Sequence, residues 1–327
     1  MKTLVVGTGV IGTIYGWALA EAGVEVTHLG RPRHPTGVVP LRLDVLDERK
    51  GHVANNVTTY HARLMDAVGP SDGFELVIVP VPAHQLEDAL SSLAGRMGDA
   101  LFLIMSSNWD EPAAIDRIMP RERYLLAYAD GGGTIRDGLY WTNIGPELHV
   151  GKLDGQRDGA LEKIGGLFAR ADIHLDVPPN ILHWLWVHNA SAVGFAGGFA
   201  KYLDAKAFLR DRRTLHDCFV ATDELLKVCE RRGVPVREYG DVAMLRWPTW
   251  VTIPLMRYMW GHNKSMVRYT AHAAAPGTLR EMTDAYHAMV KTADELSVPV
   301  PTLRRVGRYL EERVVRPDTE RATVQVG

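Results

Sequence analysis

Short apolar runs alternate with stretches of helical periodicity through the first half of the chain. Residues 3–6 read as a strand, 10–22 as a helix stopped by Gly23, and 24–29 as a second strand. Further strands are predicted at 38–45, 76–81, 101–105 and 124–129, with helical patterns at 84–94 and 112–118 between the later ones. Segments 134–142 and 147–150 read as an antiparallel pair joined through Asn143-Ile144-Gly145. A helix at 158–169 then leads to a short apolar run at 173–175. Apolar strands alternating with helices predict a parallel sheet covered on both faces.

The pattern changes at Pro178-Pro179. From there the periodicity is helical, with helices expected near 180–200, 205–232, 236–246, 264–274, 278–296 and 302–314. The fold class expected is therefore α/β: an N-terminal Rossmann-type, doubly wound domain over 1–177, followed by an all-helical domain over 178–327. The second domain is expected to hold substrate or to form a subunit interface. The tail after Pro317 is polar and reads as frayed.

Composition narrows the function classes only slightly. A formal net charge of −2 over 327 residues gives no electrostatic case for nucleic acid or an anionic membrane. Cys218 and Cys229 share one predicted helix, too far apart to bridge, and read as free thiols of a reducing compartment. The chain enters a strand at once, and no apolar run reaches the length of a membrane span. A cytoplasmic protein is expected.

The most informative chemistry lies at residues 7–12, Gly7-Thr8-Gly9-Val10-Ile11-Gly12. A strand precedes this GxGxxG turn directly and a helix follows it, which is the context a dinucleotide site requires. Gly7 permits the tight turn, Gly9 lets a pyrophosphate approach the backbone, and Gly12 lets the helix pack close to the sheet. The helix N-terminus offers N–H donors and partial positive charge to phosphate. At the end of the second strand, where NAD sites usually carry an acid, the chain reads Leu29-Gly30-Arg31-Pro32-Arg33. Arg31 has the planar donors suited to a 2′-phosphate, with Arg33 or His34 as helper, so NADP is the expected cofactor.

These residues resemble the ketopantoate reductases over nearly the whole chain. The resemblance rests on Gly7–Gly12, Gly30-Arg31, Leu148-His149-Val150-Gly151, the helix opening the second domain, Ser265-Met266 and Glu281. It implies two domains, NADPH, and reduction of a 2-oxo acid. It also implies a substrate site containing Asn108, Ser265 and Glu281, with Asn189 in the first long helix of the second domain. The family's proton-donating lysine stands four residues before that asparagine, and here the position is Leu185. A second family lysine, near the cofactor, matches Pro82.

The loss has chemical weight, because hydride transfer to a ketone builds negative charge on oxygen. His188 and Lys264 are the candidates to replace the missing donor; His183, Lys201 and Tyr202 are further options. Trp184, Trp186, Trp247, Trp250 and Trp260, with Met244, Met256 and Met259, either line an apolar pocket or belong to core or interface. Three readings stay open: an NADPH-dependent oxidoreductase acting on a carbonyl other than ketopantoate, a true 2-dehydropantoate 2-reductase with a substituted acid, and a non-catalytic NADP-binding protein. The expected partner is a small carbonyl substrate, with neither nucleic acid nor membrane, and a homodimer through the helical domain is left open. No metal is expected.

Overall fold

The structure, a computed structural model, describes residues 1–30, 36–107, 109–110, 112–273 and 275–315. The chain forms an α/β unit and a helical unit, Met1–Leu185 and Trp186 onward.

The first unit runs β1 (Thr3–Val6), α1 (Val10–Glu21), β2 (Val26–Leu29), β3 (Gly37–Asp47), β4 (Ala54–Met65), β5 (Leu76–Val79), α2 (Ala83–Leu93), β6 (Leu101–Ile104), α3 (Ala113–Asp116), β7 (Tyr124–Arg136), β8 (Leu139–Gly151), α4 (Gly159–Ala169) and β9 (His174–Asp176). Helix α5 (Ile181–Tyr202) crosses the boundary between the units. The strands lie in the order β3-β4-β2-β1-β5-β6-β7-β8-β9. From β4 to β7 every pairing is parallel. The flanking strands reverse: β3 runs antiparallel to β4, and β8 antiparallel to β7. Residues 42–47 of β3 then pair with 139–144 of β8, so the two flanks of the sheet are joined.

The closure explains the composition of α1. This helix packs against β1, β2, β4, β7 and β8, and Gly12 through Leu19 are all buried. A helix touched on so many sides must be apolar nearly all round rather than along one stripe. Its neighbours include Val5, Leu76, Ile78, Leu103 and Leu125, with Leu161, Ile164 and Phe168 from α4. The alternate strand residues Leu4, Val77, Val79, Phe102, Ile104 and Leu126 are buried as well. Burial of both faces is why these central strands read as continuous apolar runs.

Several elements depart from the sequence pattern. The β7–β8 turn is Asp137-Gly138, with φ of 49° and 75°, and β8 runs unbroken through Asn143-Ile144-Gly145. Two consecutive positive φ values match the twist of a two-residue hairpin, and Asp-Gly supplies them at low strain. Strand β4 carries no early apolar signal because its first half, Ala54–Thr59, has no buried residue. The expected helix at 112–118 shrinks to the single turn of α3.

The helical unit continues with α6 (Ala205–Arg210), α7 (Arg212–Arg231), α8 (Gly240–Ala243), α9 (Thr249–His262), α10 (Lys264–Ala273), α11 (Pro276–Glu295) and α12 (Pro301–Val315). The expected helix at 205–232 breaks at Asp211, which instead caps α7 by accepting from the Arg213 and Thr214 N–H groups. Segment 236–246 is a series of short turns rather than one helix. Glycines 194 and 197 of α5 lie where a Cβ would meet Thr222 Oγ1 at 2.2 Å and the Val306 carbonyl at 2.3 Å, so α7 and α12 pack directly on its backbone. No helix among the described residues is long and apolar enough to cross a membrane.

Candidate cofactor site

Strand order locates the candidate site. From β1 the chain moves to β2 on one side, whereas β5 lies on the other. The run β4 to β7 is parallel, and ligands of parallel α/β sheets bind beyond the carboxyl ends of the strands, at such a reversal where the sheet is of the doubly wound kind. The segments leaving β1 and β5 there are Gly7–Gly12 and Pro80–Pro82. They lie side by side: a Cβ on Gly12 would stand 3.1 Å from Pro80 Cγ and 3.0 Å from Val5 Cγ1. Gly12 therefore does what the sequence pattern asks of it, letting α1 pack against the strands.

The other glycines divide their work. Gly7 has φ +85°, a conformation that disfavours any side chain. A Cβ on Gly9 would meet nothing within 4 Å, so this position is smooth and open rather than packed. Gly9 is also the N-cap of α1, and its carbonyl takes the first helical bond, from Thr13 N–H at 2.9 Å. Among the described residues no protein acceptor takes the N–H of Thr8, Gly9, Val10, Ile11 or Gly12. Free donors at a helix N-terminus beside an open backbone suit an anion, and a phosphate-bearing cofactor fits this cradle.

Three side chains absent from the sequence reading support the turn from below. His28 of β2 hydrogen-bonds the Gly7 carbonyl through Nδ1 at 2.9 Å and the Tyr60 hydroxyl through Nε2 at 3.1 Å. Burial holds the His28 pKa below the ordinary imidazole value, against the opposing effect of the Gly7 carbonyl. Burial likewise pushes the Tyr60 phenol well above its ordinary value, so it remains a hydroxyl donor. From β8, Tyr140 donates its hydroxyl to the Thr8 carbonyl at 2.7 Å. The only sequence signal was a polar His28 inside an otherwise buried strand.

The remaining candidates are dispersed. Arg31, Arg33, His34 and Asn108 lie outside the described residues. Pro82 precedes α2 as its N-cap. In α5, opened by Asn180 accepting from His183 N–H at 3.0 Å, Asn189 is buried and His188 half-buried. Leu185, which the resemblance matches to the family's lysine, is fully buried. Lys264 is exposed at the start of α10 and Ser265 beside it is buried. The Asn263 carboxamide accepts from Ser265 N–H at 2.8 Å. Glu281 is half-buried in α11, which packs on α10. Lys201 and Tyr202 both bond Asp211, in a network that ties α5 to α7. Among the described residues no cluster of His, Cys, Asp and Glu is arranged to hold a metal.

The tryptophan-rich segment separates into distinct environments. Trp184 stacks on His149 with ring centroids 4.0 Å apart, and Trp186 is buried under the Arg232 guanidinium. Trp260 packs on Phe195 and Phe199 with the core of the helical unit. Trp247, Trp250, Met244 and Met259 are exposed.

A family model described as ketopantoate reductase PanE/ApbA matches residues 3–154. Through this stretch the chain is similar to that family. A 2-dehydropantoate 2-reductase of Pyrococcus abyssi is 24% identical over 196 residues, which is 57% of this chain and 59% of that protein. The fold extends further than this match. A 2-dehydropantoate 2-reductase from Geobacter metallireducens superposes with TM-score 0.72 at 13% identity, over 95% of this chain and 99% of that one. D-mandelate dehydrogenase, in a ternary structure with NADH and anilino(oxo)acetate, superposes with TM-score 0.69 at 13% identity, over 95% and 97%.

Proposed function

We propose that the protein is an NADPH-dependent oxidoreductase, with a Rossmann-type first domain, that reduces the carbonyl of a small 2-oxo acid. The observation that carries the reading is the glycine turn at the strand-order reversal, whose N–H donors are not taken by any protein acceptor among the described residues. Thr8, Gly9 and the first turn of α1 would hold a pyrophosphate, and Arg31 a 2′-phosphate. A reduced nicotinamide, when bound, supplies the hydride. What this chain must add is orientation of the substrate and a proton for the carbonyl oxygen. Asn108, Asn189, Ser265 and Glu281 are assigned to the substrate, and His188 or Lys264 to the proton.

Ketopantoate is not the expected substrate. The family's lysine position is a buried leucine, Leu185, and a positioned proton donor typically contributes ~10² to 10⁴-fold in rate. The same loss supports a second reading, a non-catalytic NADP-binding protein. D-Mandelate dehydrogenase, a protein of the same fold, has a ternary structure with NADH and anilino(oxo)acetate, which makes 2-oxo acids with bulky substituents the first to try.

Calorimetric titration with NADPH and NADH, with turnover of a 2-oxo acid panel followed at the nicotinamide absorbance, tests the proposal. NADPH should bind more tightly than NADH. Arg31→Ala should weaken NADPH alone, by about tenfold or more, as loss of a charge-assisted contact implies. Equal affinity for both cofactors in the native protein defeats the NADP assignment. Tight NADPH binding without turnover of any panel member selects the non-catalytic reading.

A further inference from the structure

We infer that His28 and Tyr140 are positioning residues for the cofactor: by holding the Gly7 and Thr8 carbonyls they aim the Thr8 and Gly9 N–H groups at the pyrophosphate. The inference rests on the nucleotide-binding reading above and deepens it. Its starting point is peptide geometry. In a planar trans peptide the carbonyl of one residue and the N–H of the next point in opposite directions. The described residues contain no cis peptide bond. A Gly7 carbonyl drawn to His28 therefore sends the Thr8 N–H away from the buried imidazole. A Thr8 carbonyl drawn to Tyr140 does the same for the Gly9 N–H.

Such clamping is needed because glycine-flanked peptides rotate at little cost. A flip of either peptide would present a carbonyl oxygen where an anion has to sit. Among the described residues, Gly7 N–H is committed to the Leu29 carbonyl, and the bonds that hold the Gly7–Thr8 and Thr8–Gly9 planes are those of their own two carbonyls.

The His28 contact also has a defined sense. A carbonyl only accepts, so Nδ1 carries the proton, and Nε2 of the neutral ring accepts from the Tyr60 hydroxyl. Room for the ring comes from Gly16, where a Cβ would stand 2.6 Å from Nε2. Support for the turn is thus delivered from β2, β4 and β8 to one short loop.

The test measures binding of two ligands to the purified full chain by calorimetry: NADPH, and 2′-AMP, which carries the adenosine and 2′-phosphate but no pyrophosphate. His28→Phe removes the donor and keeps a ring; Tyr140→Phe removes one oxygen and keeps the fold if His28→Phe does not. The expected result is NADPH binding weakened about tenfold in each folded variant, with 2′-AMP within about twofold of native. Equal weakening of both ligands would show a general structural role and overturn the inference. So would unchanged NADPH binding in Tyr140→Phe and folded His28→Phe. A native protein that binds neither ligand overturns the nucleotide reading itself, and the inference with it.

Discussion

At the scale of single residues, His28 makes a prediction independent of any ligand. It is buried between the Gly7 carbonyl, the Tyr60 hydroxyl and Gly16. Burial therefore lowers its pKa from the ordinary value of about 6.5. The unfolded chain then binds a proton at higher pH than the folded one, so protonation favours unfolding. This stabilising contribution is complete above the unfolded value and is lost as the pH falls through the lower folded value. Urea unfolding at pH 8 and pH 5.5 measures it: the native protein should lose more stability on acidification than His28→Gln. Parallel losses in the two proteins would mean that His28 does not titrate as its burial requires. The same residue shows what sequence reading misses. The glycines were legible because backbone conformation constrains residue type at each of them. His28, Tyr60 and Tyr140 were not, because they act through contacts 21, 32 and 132 residues apart that only the folded sheet creates.

At the scale of elements, legibility followed burial. The parallel strands are covered on both faces and stood out as apolar runs. Strand β4 begins as a polar ribbon and was missed, and α9 was missed because its aromatic residues face both core and solvent. The break between α6 and α7 was missed for a different reason: a single aspartate overrides continuous helical periodicity. Asp211 accepts from the Arg213 and Thr214 N–H groups, from the Thr214 hydroxyl at 2.6 Å and from the Tyr202 hydroxyl at 2.5 Å. Those bonds, Thr214 first, hold its carboxyl well below the usual range, so it is charged wherever the protein is folded. Asp211→Ala removes an N-cap, a change that costs about 0.5–2 kcal/mol. The loss of the Tyr202 and Lys201 contacts places the expected value toward the upper end. Chemical denaturation of the variant checks it; an unchanged midpoint would show that α7 starts without this cap. Glu224 plays the corresponding part for α12, accepting from Thr302 and Leu303 N–H. It was equally invisible in sequence, since a carboxylate in mid-helix usually reads as solvated.

At the scale of the whole molecule, the candidate residues fall into two sets. The glycine turn and its supports belong to the α/β unit, whereas Asn189, Ser265 and Glu281 belong to the helical one. The sequence made the first set readable through local motif grammar. The second was reachable only through resemblance, because isolated Asn, Ser and Glu residues on separate helices have no pattern of their own.

The helical unit also carries an exposed apolar stripe. On α9, Trp250, Pro254 and Tyr258 recur every four residues and form one stripe. Trp250 is 79% and Tyr258 67% exposed, and Met259 and Trp247 are exposed beside them. Exposed apolar residues scattered singly need no explanation, but a stripe of large aromatic side chains is characteristic of an association surface. Its residues bear no charge that would select an oppositely charged partner, and a second copy of the same stripe is self-complementary about a twofold axis. A homodimer through the helical unit is the assembly this face predicts. Light scattering on the native protein should give the dimer mass, and Trp250→Glu or Tyr258→Glu should shift it to monomer with the thermal midpoint of each monomer's α/β unit unchanged. A monomeric native protein, or dimers that survive both substitutions, would remove α9 as the interface.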